Sequence, residues 1–310
     1  MENTNRYIFF TMFLTFVFGC NSNKYLSQKP PKLIPEIFAP GIVSINNRNE
    51  EVITFSPNGL EIYFSIEYYP DPTPSFILFT EFKDGKWTEP DTVSFSKGRR
   101  TSEPFIALSG SRLYYFANKV ENQKGSLDIC YSERNVEGWG DPISLNSPPN
   151  FITPKFTLHP CIVSDSSIYF STYSGEIAYS KFENGEYQEM KILPSPINHQ
   201  NLEGTECWGD PYVSPNEEYM IFRSNREGGY GGSDLYISFR NESGQWLNPQ
   251  NLGPTINTEF DELGGDVTPD GKYLTFGRNG DIYWVSTRIL KKMKKNPVHN
   301  ITLDAAGGSE

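Results

Sequence analysis

The stretch Glu206–Arg240, ECWGDPYVSPNEEYMIFRSNREGGYGGSDLYISFR, contains three runs of strand-favouring residues. A Pro-Asn turn separates the first two runs, and a Gly-rich turn separates the second from the third. Copies of its strand–turn–strand core recur 50 to 57 residues apart along the chain. The five cores are Ile53–Phe64, Pro104–Tyr115, Pro160–Phe170, Pro211–Phe222 and Gly265–Phe276. Because one such unit cannot bury both of its faces, the repeats predict an array of packed sheets.

Each core is followed by a third run of strand-favouring residues and, in most copies, by a Gly-x-Trp motif that we assign to a fourth, outer strand. Examples are Gly85-Lys-Trp87-Thr-Glu-Pro90 and Gly244-Gln-Trp246-Leu-Asn-Pro249. Proline is tolerated at a sheet edge because an edge strand needs no N–H on its outer side. The tryptophans are interpreted as apolar plugs between sheets, with sugar stacking as the alternative.

The fifth copy lacks a fourth strand, and the N-terminal segment offers one. Pro35–Ser44 resembles Pro249–Asn257, which lies just before the fifth core. We therefore expect Ile37–Ser44 to pair with the last sheet, which would remove two exposed edges. The predicted fold is all-β: a five-bladed β-propeller of four-stranded antiparallel blades, with the last blade closed by the N-terminal strand.

Composition excludes some partners. The 310 residues carry a formal net charge of −11, which argues against nucleic acid because phosphate binding needs a basic surface. A solvated, acidic monomer fits the same numbers.

The first residues predict export and anchoring. Met1–Gly19 has a short apolar run that is too short to span a bilayer, and Val17-Phe18-Gly19-Cys20 resembles the bacterial lipobox. That resemblance implies lipidation of Cys20 and attachment to the membrane through the lipid; a plain secretory signal is the alternative. We expect residues 20–34 to be a flexible tether, 35–290 the propeller and 291–310 a C-terminal tail. The predicted location is the outer membrane of a bacterial envelope, facing the periplasm.

The repeat units also resemble a known family. Ser56-Pro-Asn-Gly59 followed by Ile62-Tyr-Phe64, Thr268-Pro-Asp-Gly-Lys-Tyr-Leu-Thr-Phe276 and Gly280-Asp-Ile-Tyr-Trp284 are similar to the PD40, or TolB-type WD40-like, β-propeller repeat. The resemblance implies a binding or scaffolding platform of the cell envelope, and it implies no activity.

Candidate site residues stand where the innermost strand of each blade begins. They are Glu103, His159, Glu206, Asp210 and Glu262. Inner strands of different blades converge on the propeller axis, so these side chains are expected to form a polar ring there. Such a ring could bind a cation or a basic group, or could only satisfy backbone groups and solvate the channel.

The primary hypothesis is a non-enzymatic envelope lipoprotein that binds a protein or a glycan. The alternative is a carbohydrate-active hydrolase with Glu103, Asp210 and Glu262 as candidate catalytic carboxylates. The spacing of Cys130, Cys161 and Cys207 matches no zinc pattern. We predict neither a metal nor a cofactor.

Overall fold

The computed structural model describes residues 24–67, 75–118, 127–145, 157–172, 174–198 and 209–295. Cys20, Cys207 and Glu206 lie outside these ranges. No helix among them has the length and apolar character needed to cross a membrane.

Five small antiparallel sheets are arranged in a ring, which confirms the predicted five-bladed propeller. Each blade runs from an innermost strand to a short outer strand. Blade 1 contains Asn49–Phe55, Glu61–Glu67, Phe76–Lys83 and Asp91–Thr92, and blade 2 contains Thr101–Ile106, Arg112–Asn118, Leu127–Asn135 and Ile143–Ser144. Blade 3 contains Thr157–Ile162, Ile168–Thr172, Ile177–Ser180 and Lys191–Ile192, and blade 4 contains Tyr212–Val213, Tyr219–Ser224, Asp234–Phe239 and Gln250–Asn251. Blade 5 contains Glu262–Val267, Tyr273–Arg278, Asp281–Ser286 and, as its outer strand, the N-terminal Glu36–Ile37. The innermost strand of every blade contacts the innermost strands of both neighbouring blades, so the ring is closed.

Minor elements complete the described chain. Lys86–Trp87, Gly138–Trp139 and the pair Phe182–Glu183 with Glu186–Tyr187 form short hairpins beyond the third strands; Tyr25–Ser27 and Ser94–Ser96 are 3-10 turns, and Arg288–Lys295 is an α-helix.

The tight turns follow from their residues. In blade 1, Gly59 has a φ of +72°, and its N–H donates to the Ser56 carbonyl at 2.7 Å. The Ser56 hydroxyl donates to the side chain of Asn58 at 2.7 Å. A glycine is favoured at this position because side chains make positive φ unfavourable. The first two strands of each blade are joined by a turn of this kind, and we call this end of the ring the hairpin end.

Contrary to our prediction, the Gly-x-Trp motif does not form the outer strand. It lies in the chain just before that strand. Trp87 pairs with Phe82 in a hairpin, and the outer strand Asp91–Thr92 follows Pro90. Trp139 packs against blade 1, and its Nε1 donates to the hydroxyl of Tyr63 at 3.1 Å. Its place between two blades agrees with the predicted apolar plug.

The ring is sealed by its two ends, as expected. Ile37 pairs with Tyr283, and the Phe38 N–H donates to the Ile282 carbonyl at 2.7 Å. The strand is shorter than the predicted Ile37–Ser44 because the chain turns at Gly41, whose φ is +83°. Ser44 then returns to the seam, where its Oγ accepts a hydrogen bond from the Ile282 N–H at 3.1 Å.

Two residues of the segment expected to be a flexible tether, Tyr25 and Gln28, are held against this seam. Tyr25 is 5% exposed, and its ring lies 5.4 Å from that of Phe55 and 5.5 Å from that of Tyr273. The Gln28 side chain donates to the Ile37 carbonyl at 2.9 Å and accepts from the Ala39 N–H at 2.7 Å. The polar composition of this segment gave no sign of the single buried tyrosine that fixes it.

Candidate functional site

One position of the innermost strand recurs at the axis in all five blades. The N–H groups of Ser56, Ala107, Val163, Ser214 and Thr268 close the five hairpins. Four residues before each of these lie Val52, Glu103, His159, Asp210 and Gly264. We call this set the axial ring, and the end of the propeller where it lies the mouth.

The backbone of the axial ring is bent at a defined place. The pairing of the two inner strands shifts register here in blades 1, 2, 3 and 5, as at a β-bulge. Glu103, His159, Asp210 and Gly264 have φ values of +55°, +53°, +41° and +39°. For residues with a side chain this left-handed conformation costs about 1–2 kcal/mol each. Such strain concentrates at functional sites, where it aims side chains in a required direction.

Three side chains of the axial ring meet. One ligand-type atom from each of Glu103, His159 and Asp210 lies within 4.8 Å of the other two. The backbone N–H of His159 also donates to Glu103 Oε2 at 2.6 Å, which ties blade 3 to blade 2. We call these three residues the axial cluster.

Arg223 joins the cluster from the second strand of blade 4. Its Nε lies 2.5 Å from Asp210 Oδ2, and both side chains are mostly buried. The backbone N–H of Asp210 donates to Ser171 Oγ of blade 3 at 2.7 Å. The backbone of Asp210 is therefore tied to blade 3, and the ion pair with Arg223 orients its carboxylate.

Blades 1 and 5 contribute space to the ring. A Cβ added to Gly264 would lie 2.9 Å from Cε1 of His159 and 3.3 Å from Cγ2 of Val52. The imidazole therefore rests against a bare backbone and an apolar side chain. His159 is only 3% exposed, and its Nδ1 has no hydrogen-bond partner among the described residues.

The electrostatics of the cluster follow from burial. Burial raises the pKa of the Glu103 carboxyl well above its usual value, and the charge of Asp210 adds to this rise. Burial lowers the pKa of His159, so its imidazole is neutral at pH 7. Burial, followed by the charge of Asp210, also raises the pKa of Asp266 to about 7. The site thus holds more carboxyl groups than its one close arginine can neutralise.

Asp266 lies deeper, two residues after Gly264. It is 7% exposed, and its Oδ1 has no hydrogen-bond partner among the described residues. On the hairpin side, Asp266, Phe105 and Tyr212 help to line a cavity of about 320 Å³. The axis therefore carries polar groups from the mouth to the level of this cavity.

The axial cluster does not include Glu262, and Glu206 cannot be placed relative to it. Glu262 is fully buried, but it accepts hydrogen bonds from Arg278 Nε at 2.9 Å and from Thr258 Oγ1 at 2.7 Å. These contacts make it a brace between strand and loop. Glu206 lies outside the described residues. Glu103, His159 and Asp210 do meet at the axis, and Arg223 was missed from the sequence.

No protein-family model matches the sequence, and no curated protein matches it. Among solved structures, the fold is similar to the catalytic domain of a GH62 α-L-arabinofuranosidase from Coprinopsis cinerea, with a TM-score of 0.51 and 12% sequence identity over 83% of this chain and 97% of that one. A putative TolB from Agrobacterium tumefaciens matches with a TM-score of 0.47 and 16% identity over 74% and 69%. A gluconolactonase from Xanthomonas campestris matches with a TM-score of 0.47 and 10% sequence identity, over 84% of this chain and 96% of that one.

At these identities the likeness concerns the fold alone. The axial cluster has to be interpreted from its own chemistry. It combines a neutral imidazole, two carboxyl groups and a guanidinium within a few ångströms. Such a set can bind a cation, orient a polar ligand, or act as an acid–base pair.

Proposed function

We propose that this chain is a non-enzymatic binding protein of a bacterial cell envelope, built on PD40-type repeats, which captures a protein or a glycan at the mouth of its propeller. The axial cluster is the observation that carries the proposal. Three blades each present one strained residue at the same position, and these residues meet. Backbone strain of this kind clusters at functional sites, and the meeting of the polar side chains that it directs to the axis supports a ligand site there.

The proposal includes anchoring through Cys20, which the lipobox-like sequence supports. Tyr25 contacts Phe55 and Tyr273, which lie at the hairpin end of blades 1 and 5. Four residues, 21–24, lie between Cys20 and Tyr25, so these two residues are five steps apart and at most about 18 Å from each other when extended. A lipid on Cys20 would therefore hold the hairpin end near the outer membrane and direct the mouth toward the periplasm. Labelling with a palmitate analogue, lost in Cys20→Ala, tests the anchor.

The binding test compares two variants of the full chain, immobilised in detergent. Glu103→Gln removes a carboxyl group of the axial cluster but keeps an oxygen that can accept from His159 N–H. Glu242→Gln changes an exposed residue outside the cluster and serves as the matched control. Ligands are offered from two sources, envelope extracts and a glycan array. Each protein captured from an extract is purified and tested again.

We expect the wild type and Glu242→Gln to retain the same ligand and Glu103→Gln to lose it. Retention of nothing from either source would contradict the proposal. Equal retention by both variants would also contradict it, because binding would then occur elsewhere.

The hydrolase remains a second candidate because of one observation. The carboxyl groups of Glu103 and Asp210 approach within 4.8 Å, and Glu103 is biased toward its protonated form. A protonated acid beside a second carboxylate is the pattern of glycoside hydrolysis, where a retaining pair is about 5–5.5 Å apart. Two contacts argue against hydrolysis: the Asp210 carboxylate is paired with Arg223, and the third candidate, Glu262, is paired with Arg278. Release of product from aryl glycosides by wild type but not by Glu103→Gln would favour the enzyme.

A further inference from the structure

We infer that the axial cluster is a binding site for one divalent transition-metal ion, with Glu103, His159 and Asp210 as its protein ligands. This inference rests on the proposed function, since it names what the mouth holds. No metal was predicted from the sequence, in which the spacing of the cysteines follows no zinc pattern. The three ligands come from three different blades, so the fold alone brings them together.

The distances suit a metal after a small inward movement. The three ligand-type atoms lie within 4.8 Å of one another. Zinc binds nitrogen and oxygen ligands at about 2.0–2.2 Å, so tetrahedral ligands lie about 3.4 Å apart. Side-chain rotations can supply the remaining movement, because each carboxylate stands at the end of rotatable bonds.

A buried polar atom of His159 also points to a ligand at this site. His159 is 3% exposed, yet its Nδ1 finds no hydrogen-bond partner in the described part of the chain. Burying a polar nitrogen without a partner is unfavourable, because its hydrogen bond to water is lost and not replaced. Folding also places this ring in a strained backbone position, against the bare backbone of Gly264. A bound metal would account for burying the imidazole here without a protein partner.

The carboxylates are held as metal ligands usually are. One oxygen of each is engaged, Glu103 Oε2 by the N–H of His159 and Asp210 Oδ2 by Arg223. Arg223 therefore acts as a positioning residue that orients Asp210, as outer-shell partners do at metal sites. Its positive charge weakens the site, but the nearby Asp266 opposes that effect.

The donor set selects the class of metal. One imidazole nitrogen with two carboxylate oxygens suits zinc or manganese, whereas calcium prefers six to eight oxygens. Three protein ligands leave at least one coordination position open. That position would accept an oxygen atom of a ligand arriving at the mouth.

The experiment is a titration of the full chain in detergent, freed of metal by EDTA and dialysis. Isothermal titration with ZnCl₂, MnCl₂ and CaCl₂ gives affinity and stoichiometry. We expect one zinc ion per chain, bound more tightly than calcium. His159→Ala and Glu103→Gln should each weaken zinc binding by at least about 10-fold, and Glu242→Gln should leave it unchanged.

Circular dichroism of each variant excludes loss of binding through misfolding, and the isosteric Glu103→Gln serves as the second test if His159→Ala does not fold. No saturable zinc binding, preferred calcium binding, or zinc binding unaffected by both ligand variants would each overturn the inference. Partner capture in EDTA separates the two proposals. Capture without any zinc binding would leave the proposed function standing and this inference wrong.

Discussion

Replacing Gly264 with alanine tests whether the imidazole of His159 occupies the place described. The new methyl group would lie 2.9 Å from Cε1 of His159 and 3.3 Å from Cγ2 of Val52. Gly264 has a φ of +39°, so the backbone adds a cost of about 1–2 kcal/mol. Crowding in a packed interior typically costs a further 1–3 kcal/mol, roughly. The free energy of unfolding should therefore fall by about 2–5 kcal/mol.

Gly98→Ala is the matched control for the backbone cost. Gly98 has a φ of +78°, and an added Cβ would meet nothing within 4 Å. Urea denaturation of both variants, followed by tryptophan fluorescence, gives the two changes in unfolding free energy. Their difference isolates the contact with His159. The double variant Gly264→Ala/His159→Ala should recover part of the loss, because the truncated side chain no longer collides with the methyl group. If Gly264→Ala cost no more than Gly98→Ala, the packing of the axial ring described above would be refuted.

Two further predictions concern buried carboxylates outside the axial cluster. Glu262→Ala should lower the free energy of unfolding by about 3–5 kcal/mol, because it leaves the mostly buried guanidinium of Arg278 without its charged partner. The control is Glu218→Ala, which removes one member of an exposed ion pair. It should change the free energy of unfolding little in the same urea titration. Burial raises the pKa of Glu50 from 4.5 to about 7, so the folded state holds an extra proton between these values, and stability should decline as pH rises through that window. Glu50→Gln should reduce that decline by about 1–3 kcal/mol between pH 4.5 and 8, and an identical pH profile in both proteins would contradict it.

The repeating parts of the fold could be predicted because their causes are local. A Pro-Asn-Gly turn specifies its own backbone, as Gly59 shows with its positive φ. Sealing by the N-terminus was predictable because Pro35–Ser44 copies the segment before the fifth core. The length of that strand was not, since it depends on a turn at Gly41.

The site was only partly predictable because side-chain direction depends on register. Glu103 and Glu262 both lie in the first half of an inner strand, yet only Glu103 occupies the bulge that faces the axis. The sequence around Arg223 contains an indication of its role. Arg223 is a charge in a strand otherwise covered on both faces, and such a charge needs a buried partner. Blade 5 contributes through Gly264, where the useful feature is the absent side chain.

The seam between Glu36–Ile37 and Asp281–Ser286 determines when the molecule can be finished. A ribosome delivers the first of these strands before blades 1 to 4 and the second after them. Until then four blades can form, but the fifth lacks the strand on which its outer edge depends. Joining chain ends that are so distant in sequence is slow, because many intervening residues must first be ordered. A truncation at either terminus should therefore damage the same blade.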